Sequence, residues 1–96
     1  MNANREKRKA MIEEYLRIKG WLEDTQVYTR EEWNEMGKYE YGSTAEVNLT
    51  FDGGSFYSVV NCEFGNESLE KFTKFLGEIG CYYELGYSWM MNVYEN

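Results

Sequence analysis

The sequence predicts an α+β protein in which helices pack on an antiparallel sheet of three or four strands. Two stretches, at about residues 4–22 and 66–80, carry apolar side chains at helical spacing, and two others, residues 45–63 and 81–94, have strand-like patterns. The predicted order is an N-terminal helix, a short helix, a hairpin, a helix, and a C-terminal strand or second hairpin. A chain of 96 residues without repeats or a low-complexity linker is expected to form a single domain, 1–96.

The first predicted helix covers about residues 4–22. Met11, Tyr15, Ile18 and Leu22 recur every three or four residues and form one apolar stripe, which we expect to pack on the sheet. Two further apolar side chains adjoin the stripe, Ile12 and Leu16. The opposite face mixes bases with acids, a pattern typical of ion pairs between residues four apart. Contact of these bases with a phosphate backbone is the alternative.

A capping box predicts the short helix at residues 30–36. In Thr29-Arg-Glu-Glu32, the Thr29 hydroxyl can accept a hydrogen bond from the Glu32 N–H while the Glu32 carboxylate reaches back to residue 29. Gly37 is suited to the left-handed conformation that ends a helix. The short helix therefore carries three acids, at positions 31, 32 and 35.

Residues 45–52 alternate between apolar and polar side chains, which predicts a strand with one buried face. Asp52-Gly-Gly follows this strand and supplies the positive-φ positions of a tight turn. Residues 55–63 are rich in Phe, Tyr and Val, so we expect them to return as the second strand of a hairpin.

The C-terminal third combines a helix with a strand-like run. Asn66 is a favoured N-cap residue, Glu67 suits the first turn of a helix, and Gly80 would end that helix. From Cys81 to Tyr94 the pattern is that of a strand. Gly86 within this run predicts either a bulge or a turn that divides it into two strands.

The composition excludes several kinds of active site. The chain has no histidine, and therefore no Ser-His or Cys-His nucleophile system of its own. Its two cysteines, Cys62 and Cys81, are too few for a structural zinc site, and both are expected to be buried thiols. We predict a protein without catalytic residues, metal or cofactor, although a carboxylate pair in a cleft is an alternative.

The sequence also predicts a cytoplasmic protein without a membrane partner. No apolar run reaches the roughly 20 residues that span a membrane. The first ten residues lack the apolar segment of a secretory signal.

Charge is distributed unevenly along the chain. The formal net charge is −7, yet residues 1–19 contain six bases and three acids and carry +3. Residues 20–96 contain four bases and fourteen acids and carry −10. Such a body should repel nucleic acid and attract a protein with a basic surface, such as a nucleic-acid enzyme. The alternative is that the acidity serves only solubility.

Acidic and aromatic side chains on predicted surface elements are the candidates for contact with that partner. Carboxylates could occupy a basic site, and Tyr side chains of the last strand could add contact area. If helices cover both faces of the sheet, the aromatic residues belong to the core instead. The candidate residues are Glu31, Glu32, Glu35, Glu46, Asp52, Glu63, Glu67, Glu70, Tyr82 and Tyr94.

Residues 45–80 resemble part of a known inhibitor family. The strand, the Asp-Gly turn, the second strand and the helix that begins Asn-Glu-Ser-Leu-Glu-Lys-Phe at residue 66 are similar to the central hairpin and helix of small, acidic, phage-encoded type II-A anti-CRISPR inhibitors of Cas9. The resemblance implies that carboxylates mimic the PAM DNA that basic residues of the nuclease would read. That role would fall to Glu46, Asp52, Glu63, Glu67 and Glu70. The basic first helix and the aromatic C-terminal strand depart from the family's pattern.

Three functional hypotheses follow. The first is an inhibitor, encoded by a phage or another mobile element, that acts in the bacterial host and blocks the basic nucleic-acid-binding surface of a host defence nuclease. The second is an immunity or antitoxin protein that neutralises a toxin nuclease. The third is a structural or accessory protein that self-associates, for example as a homodimer, through its Tyr- and Met-rich last strand.

Overall fold

The computed structural model describes residues 3–96, and within them it has four helices and one four-stranded antiparallel sheet, which confirms the predicted α+β class. The helices are α1 (Ala3–Lys19), α2 (Arg30–Met36), α3 (Gly54–Val60) and α4 (Glu67–Glu78). The strands are β1 (Gln26–Thr29), β2 (Val47–Thr50), β3 (Cys81–Tyr87) and β4 (Met90–Glu95). Their spatial order is β1-β2-β4-β3, so β1 and β3 are the edges. None of the helices described is long and apolar enough to cross a membrane.

One face of the sheet carries the main hydrophobic core, which α1, α3 and α4 cover. The rings of Phe51, Phe56 and Phe72 meet edge to face at its centre, with centroids 4.9 and 5.2 Å apart along the series. The core side chains without exposed surface are Ile12, Leu16, Val47, Leu49, Phe51, Phe56, Phe72, Leu76, Met91 and Val93. Contacts between elements distant in sequence therefore hold the fold together.

Helix α1 is confirmed, with a correction to its buried face. Its buried residues are Ile12 and Leu16, whereas Met11 is 38% exposed and Ile18 is 68% exposed. The side chains that face the sheet are therefore the row next to the predicted stripe. Leu22 packs against the core from the loop after the helix instead of from the helix itself.

The predicted hairpin at residues 45–63 is wrong. Its first strand is present as β2, but Gly53 and Gly54 lead into helix α3 instead of a second strand. Both glycines have positive φ, 82° and 79°, as the turn prediction requires. The chain continues from them into a helix, however, and not into a strand. β2 already pairs with β1 on one side and with β4 on the other, which leaves no edge for another strand. Phe56 and Val60, one helical turn apart, are buried instead on the same side of α3.

Helix α2 and its capping box are confirmed. The Glu32 N–H donates to Thr29 Oγ1 at 3.2 Å, and the Thr29 N–H donates to Glu32 Oε1 at 2.8 Å. Gly37 ends the helix in the left-handed conformation, with φ at 61°. Helix α4 begins after Asn66 as predicted, although the Asn66 side chain makes no capping hydrogen bond.

The C-terminal run forms a hairpin in which Gly86 marks a bulge. The pairing register between β3 and β4 shifts between Leu85 and Tyr87, while the turn itself lies at residues 88–89. A Cβ on Gly86 would lie 2.6 Å from Met90 Sδ and 3.2 Å from Asn92 Oδ1, so a larger residue at the bulge would require these side chains of β4 to move.

The other face of the sheet is covered at its centre by α2 and by residues 37–46. Trp33 of α2 is buried there, and its indole N–H donates to the Tyr41 carbonyl at 2.8 Å. Beside it, Asn92 Nδ2 donates to Asn48 Oδ1 at 2.7 Å, and Asn48 Nδ2 donates to the Gly42 carbonyl at 3.0 Å. The central strands are thus covered on both faces, and the layer on this face contains a buried pair of amides beside Trp33.

Gly42 lies too close to this amide pair to carry a side chain. Its φ is 91°, and a Cβ would collide with Asn48 Oδ1 and lie 2.7 Å from Asn92 Nδ2. We expect Gly42→Ala to lower the free energy of unfolding by more than about 2 kcal/mol, because overpacking adds to backbone strain. Gly20→Ala is the matched control: φ is 78° but nothing lies within 4 Å, so strain alone should cost about 1 kcal/mol. Urea unfolding, followed by tryptophan fluorescence, measures the free energy of unfolding of both variants. Equal losses would show that contact of the added Cβ with the amide pair costs nothing beyond the backbone strain.

Candidate protein-binding surface

The buried carboxylate of Glu46 binds three arginine side chains at the margin of the sheet. Glu46, 6% exposed, accepts hydrogen bonds from Arg5 Nε at 2.8 Å, Arg8 Nη1 at 2.6 Å and Arg30 Nη2 at 3.2 Å. The sequence placed Glu46 on the outer face of a hairpin, and this placement is wrong. The alternating pattern does not reveal that α1 and α2 present arginines to this position. Glu46 is an internal anion and is not available to a partner.

The network continues outward from this centre. Its outer pairs are Arg5–Glu31 (2.6 Å), Arg8–Glu95 (3.0 Å) and Lys9–Glu32 (2.9 Å). The pKa of the Glu32 carboxyl lies below its ordinary value, first because the Thr29 N–H donates to it and then because Lys9 does. The bases on this side of α1 therefore neutralise acids of the same protein, instead of being presented to a phosphate backbone.

The ion pairs leave a surplus of acid on the surface. Within residues 3–96 they match six bases, including all four arginines, with six acids, so they contribute no net charge. The formal charge of −7 is carried by the acids outside these pairs, against four lysines. Those acids are Glu6, Glu13, Glu23, Asp24, Glu35, Glu40, Asp52, Glu63, Glu70, Glu78 and Glu84. All except the half-buried Glu13 are exposed, Glu35 on α2 among them.

Three of the predicted acids lie together around the start of α4. Glu63 is in the turn before this helix, and Glu67 and Glu70 are in its first turn. All three are exposed, and Glu67 pairs with Lys71 at 3.1 Å. Because both members of that pair are solvated, it contributes little to stability and a partner's base can replace Lys71 at small cost.

Phe64 lies between Glu63 and Glu67 in the sequence and was not among the predicted contact residues. It is 92% exposed, and it sits between Cys62 with φ at 56° and Gly65 with φ at 98°. The left-handed residues turn the backbone so that the ring points away from the core. The signal that could have revealed it is a phenylalanine directly before a glycine in an acidic turn. Cys62, expected to be buried, is exposed, whereas Cys81 is buried as expected.

Asp52 lies elsewhere, in a cleft at one end of the sheet. The cleft measures about 470 Å³ and is lined by Asp24, Gln26, Tyr39, Thr50, Asp52 and Trp89. The other members were not predicted, because they come from strand ends and loops that are far apart in the chain. It placed Trp89 inside a strand, whereas Trp89 is in the β3–β4 turn. No local pattern links these residues.

Tyr82 and Tyr94 are cross-strand neighbours outside the covered centre of the sheet. Their rings stack with centroids 5.6 Å apart, and Tyr82 is 44% exposed. Burial raises the pKa of the Tyr94 hydroxyl. Met90, on the same face of β4, is fully buried. Side chains on this face of the sheet are therefore part of the core at the centre of the sheet and exposed to solvent at its β3 edge, so both predicted alternatives occur.

The structure changes the segment that carried the family resemblance. Residues 54–60 form a helix where the resemblance implied a second strand, so the implied hairpin is absent. Comparison of the chain with protein-family models, with curated proteins and with solved structures found no match. Within residues 3–96, no group of three His, Cys, Asp or Glu side chains could hold a metal ion.

The Glu46 network yields a prediction with an internal control. Glu46→Gln should lower the free energy of unfolding by about 2 to 3 kcal/mol, because three guanidinium groups lose their common anion. Glu95→Gln removes a carboxylate that contacts one of the same arginines, Arg8, but its side chain is 58% exposed. It should therefore cost less than about 1 kcal/mol. Urea denaturation at neutral pH compares the two, and losses of similar size would show that Glu46 has no central role.

Proposed function

We propose that this protein is an acidic inhibitor that binds another protein at a basic, nucleic-acid-binding surface. The observation that supports this most directly is the binding of every arginine to the protein's own carboxylates, which leaves the surplus of acid facing solvent. Such a surface attracts a basic protein and speeds the encounter, and it repels nucleic acid itself.

The partner class that we favour is a host defence nuclease, such as a CRISPR–Cas effector, with the inhibitor encoded by a phage or another mobile element. A nuclease must keep a basic channel for its substrate, and carboxylates on a rigid helix can occupy that channel in place of phosphates. The partial likeness of β2 and α4 to anti-CRISPR inhibitors supports this class. An immunity or antitoxin protein has the same physical requirements and differs only in its target, a toxin nuclease.

The contact surface that we propose is the start of α4 with the turn before it. Basic side chains of the partner would form ion pairs with Glu63, Glu67 and Glu70. Phe64 would enter an apolar pocket of the partner that lies between those basic side chains. Aromatic residues surrounded by polar groups are the usual centres of binding energy in protein interfaces. Phe72 and Leu76 on the buried side of α4 fix the helix, so the backbone that carries Glu67 and Glu70 needs no ordering on binding.

Charge reversal with a matched control tests this proposal. The triple variant Glu63→Lys, Glu67→Lys, Glu70→Lys should abolish capture of a nucleic-acid enzyme from bacterial lysate by the tagged protein. The control, Glu6→Lys, Glu78→Lys, Glu84→Lys, changes the net charge equally at exposed sites elsewhere and should retain the capture. With the purified enzyme, affinity should fall on the order of tenfold between 50 and 300 mM NaCl, because salt screens the attraction. Salt-independent binding, or equal loss in both variants, would contradict the proposal.

Self-association is a second candidate function, favoured by the edge strand β3. Its seven residues include one charged side chain, Glu84, and its Tyr82, Leu85 and Tyr87 are 44%, 46% and 41% exposed. An exposed apolar edge of this kind can pair with the same strand of a second copy. The bulge at Gly86 limits such pairing to residues 81–85.

Light scattering distinguishes the two candidates. If β3 joins two copies, size-exclusion chromatography with light scattering should give twice the monomer mass at high protein concentration. Leu85→Lys, which places a charge on the edge, should restore the monomer. A wild-type protein that stays monomeric throughout the concentration range excludes this candidate and leaves the inhibitor proposal intact.

A further inference from the structure

The cleft that holds Asp52 combines carboxylates with aromatic rings at one end of the sheet. It lies where β1 begins, where β2 ends and where β3 turns into β4. Its walls include two aromatic rings, Tyr39 and Trp89, and two carboxylates, Asp24 and Asp52. The volume, about 470 Å³, is enough for one amino-acid side chain with its hydration.

The two rings are held in place from outside the cleft. The ring centroids of Tyr39 and Trp89 are 6.1 Å apart at an interplanar angle of 60°, so the rings form a corner. Trp33 stacks on Tyr39 at 4.5 Å, and Tyr87 stacks on Trp89 at 5.1 Å. The Phe51 N–H donates to the Trp89 carbonyl at 2.9 Å, which fixes the turn. The corner is therefore preorganised.

The two carboxylates are exposed and belong to none of the ion pairs found within residues 3–96. Asp24 has φ at 65°, and it lies against Gly54 at the start of α3, where a Cβ would be 2.9 Å from Asp24 Cβ. This close approach keeps Asp24 beside the segment that carries Asp52. The cleft thus has carboxylates in its walls and two aromatic rings at its corner.

A guanidinium group matches this combination. It is planar, so it stacks on an indole or phenol ring, and its N–H groups can donate to a carboxylate in pairs. No group of three His, Cys, Asp or Glu side chains that could hold a metal ion occurs within residues 3–96, so the cleft offers no built cation site. An ammonium group lacks the planar face that fits against a ring.

The chain cannot fill the cleft with an arginine of its own. All four of its arginines are bound in ion pairs, three at Glu46 and Arg17 at Glu14. We propose that the Asp24–Asp52–Tyr39–Trp89 cleft binds an arginine side chain of the protein partner. The source of that arginine rests on the proposed function, whereas the chemistry of the cleft does not.

Titration with a small probe tests the chemistry. N-acetyl-arginine amide, added to the 15N-labelled protein, should produce saturable shifts of the Trp89 indole N–H and of the amides at residues 24, 39 and 52. N-acetyl-lysine amide should bind more weakly, and the neutral N-acetyl-glutamine amide should give no saturable shift. Shifts that do not saturate, or that spread evenly over all exposed acids, would overturn the cleft as a site.

Single substitutions locate the binding. Asp24→Asn and Asp52→Asn should each weaken arginine binding at least about fivefold, since each removes a charged acceptor. Glu23→Gln is the matched control, because it removes the same charge one residue from Asp24 but outside the cleft lining, and it should leave the affinity unchanged. Equal weakening by Glu23→Gln would mean that net charge alone attracts the probe, which would overturn the proposal.

The same variants separate this inference from the proposed function. Asp24→Asn with Asp52→Asn should reduce capture of the partner by the tagged protein. If the probe does not bind but salt-sensitive capture persists and depends on Glu63, Glu67 and Glu70, the cleft inference is wrong and the inhibitor proposal stands. If the probe binds but no protein with a basic surface is captured, the partner as the source of the arginine is wrong.

Discussion

The carboxylate of Glu46 is the interaction on which much of the structure depends. It lies directly before β2 and binds Arg5 and Arg8 of α1 together with Arg30, the first residue of α2. Arg8 carries the connection to Glu95 at the end of β4. A buried charge is costly unless several partners meet it in good geometry, so this group fixes α1 and α2 relative to the central strands. The same contacts pair two of the bases of α1 with a carboxylate of the protein itself, so one arrangement contributes both to the fold and to its external charge.

The polar pair Asn48–Asn92 has a related role on the opposite face. Its hydrogen bonds join the two central strands and hold the carbonyl of Gly42, which positions the loop over the sheet. Trp33 packs beside the pair and stacks on Tyr39, which in turn forms one wall of the cleft. The surface features that we propose to bind a partner are thus supported by buried neighbours. They lie at the ends and edges of the sheet, where the covering layers stop.

Local signals were sufficient for part of this architecture. The capping box at Thr29, the start of α4 at Glu67 and the irregularity at Gly86 could be predicted because neighbouring residues determine them. The path of residues 55–63 could not, because it depends on β2 being a central strand, which only the pairing with β4 decides. The candidate site shows the same difference between features that neighbouring residues determine and features that depend on distant contacts. The acids of α4 were correctly expected at the surface, whereas Glu46 was wrongly assigned to it, and the cleft was not detected because its walls come from segments far apart in the chain.

The strand order has a consequence for how the protein folds during synthesis. β4 lies between β2 and β3 although it is the last of the four strands to be translated. Until β4 leaves the ribosome, β1 and β2 can pair only with each other and β3 has no partner, and such a two-stranded ribbon depends on the packing of α1 and α2 for its stability. The sheet therefore closes in one late step, which gathers strands from both halves of the sequence. Before that step the nascent chain presents the apolar sides of α1, α3 and α4 to chaperones instead of to a completed core.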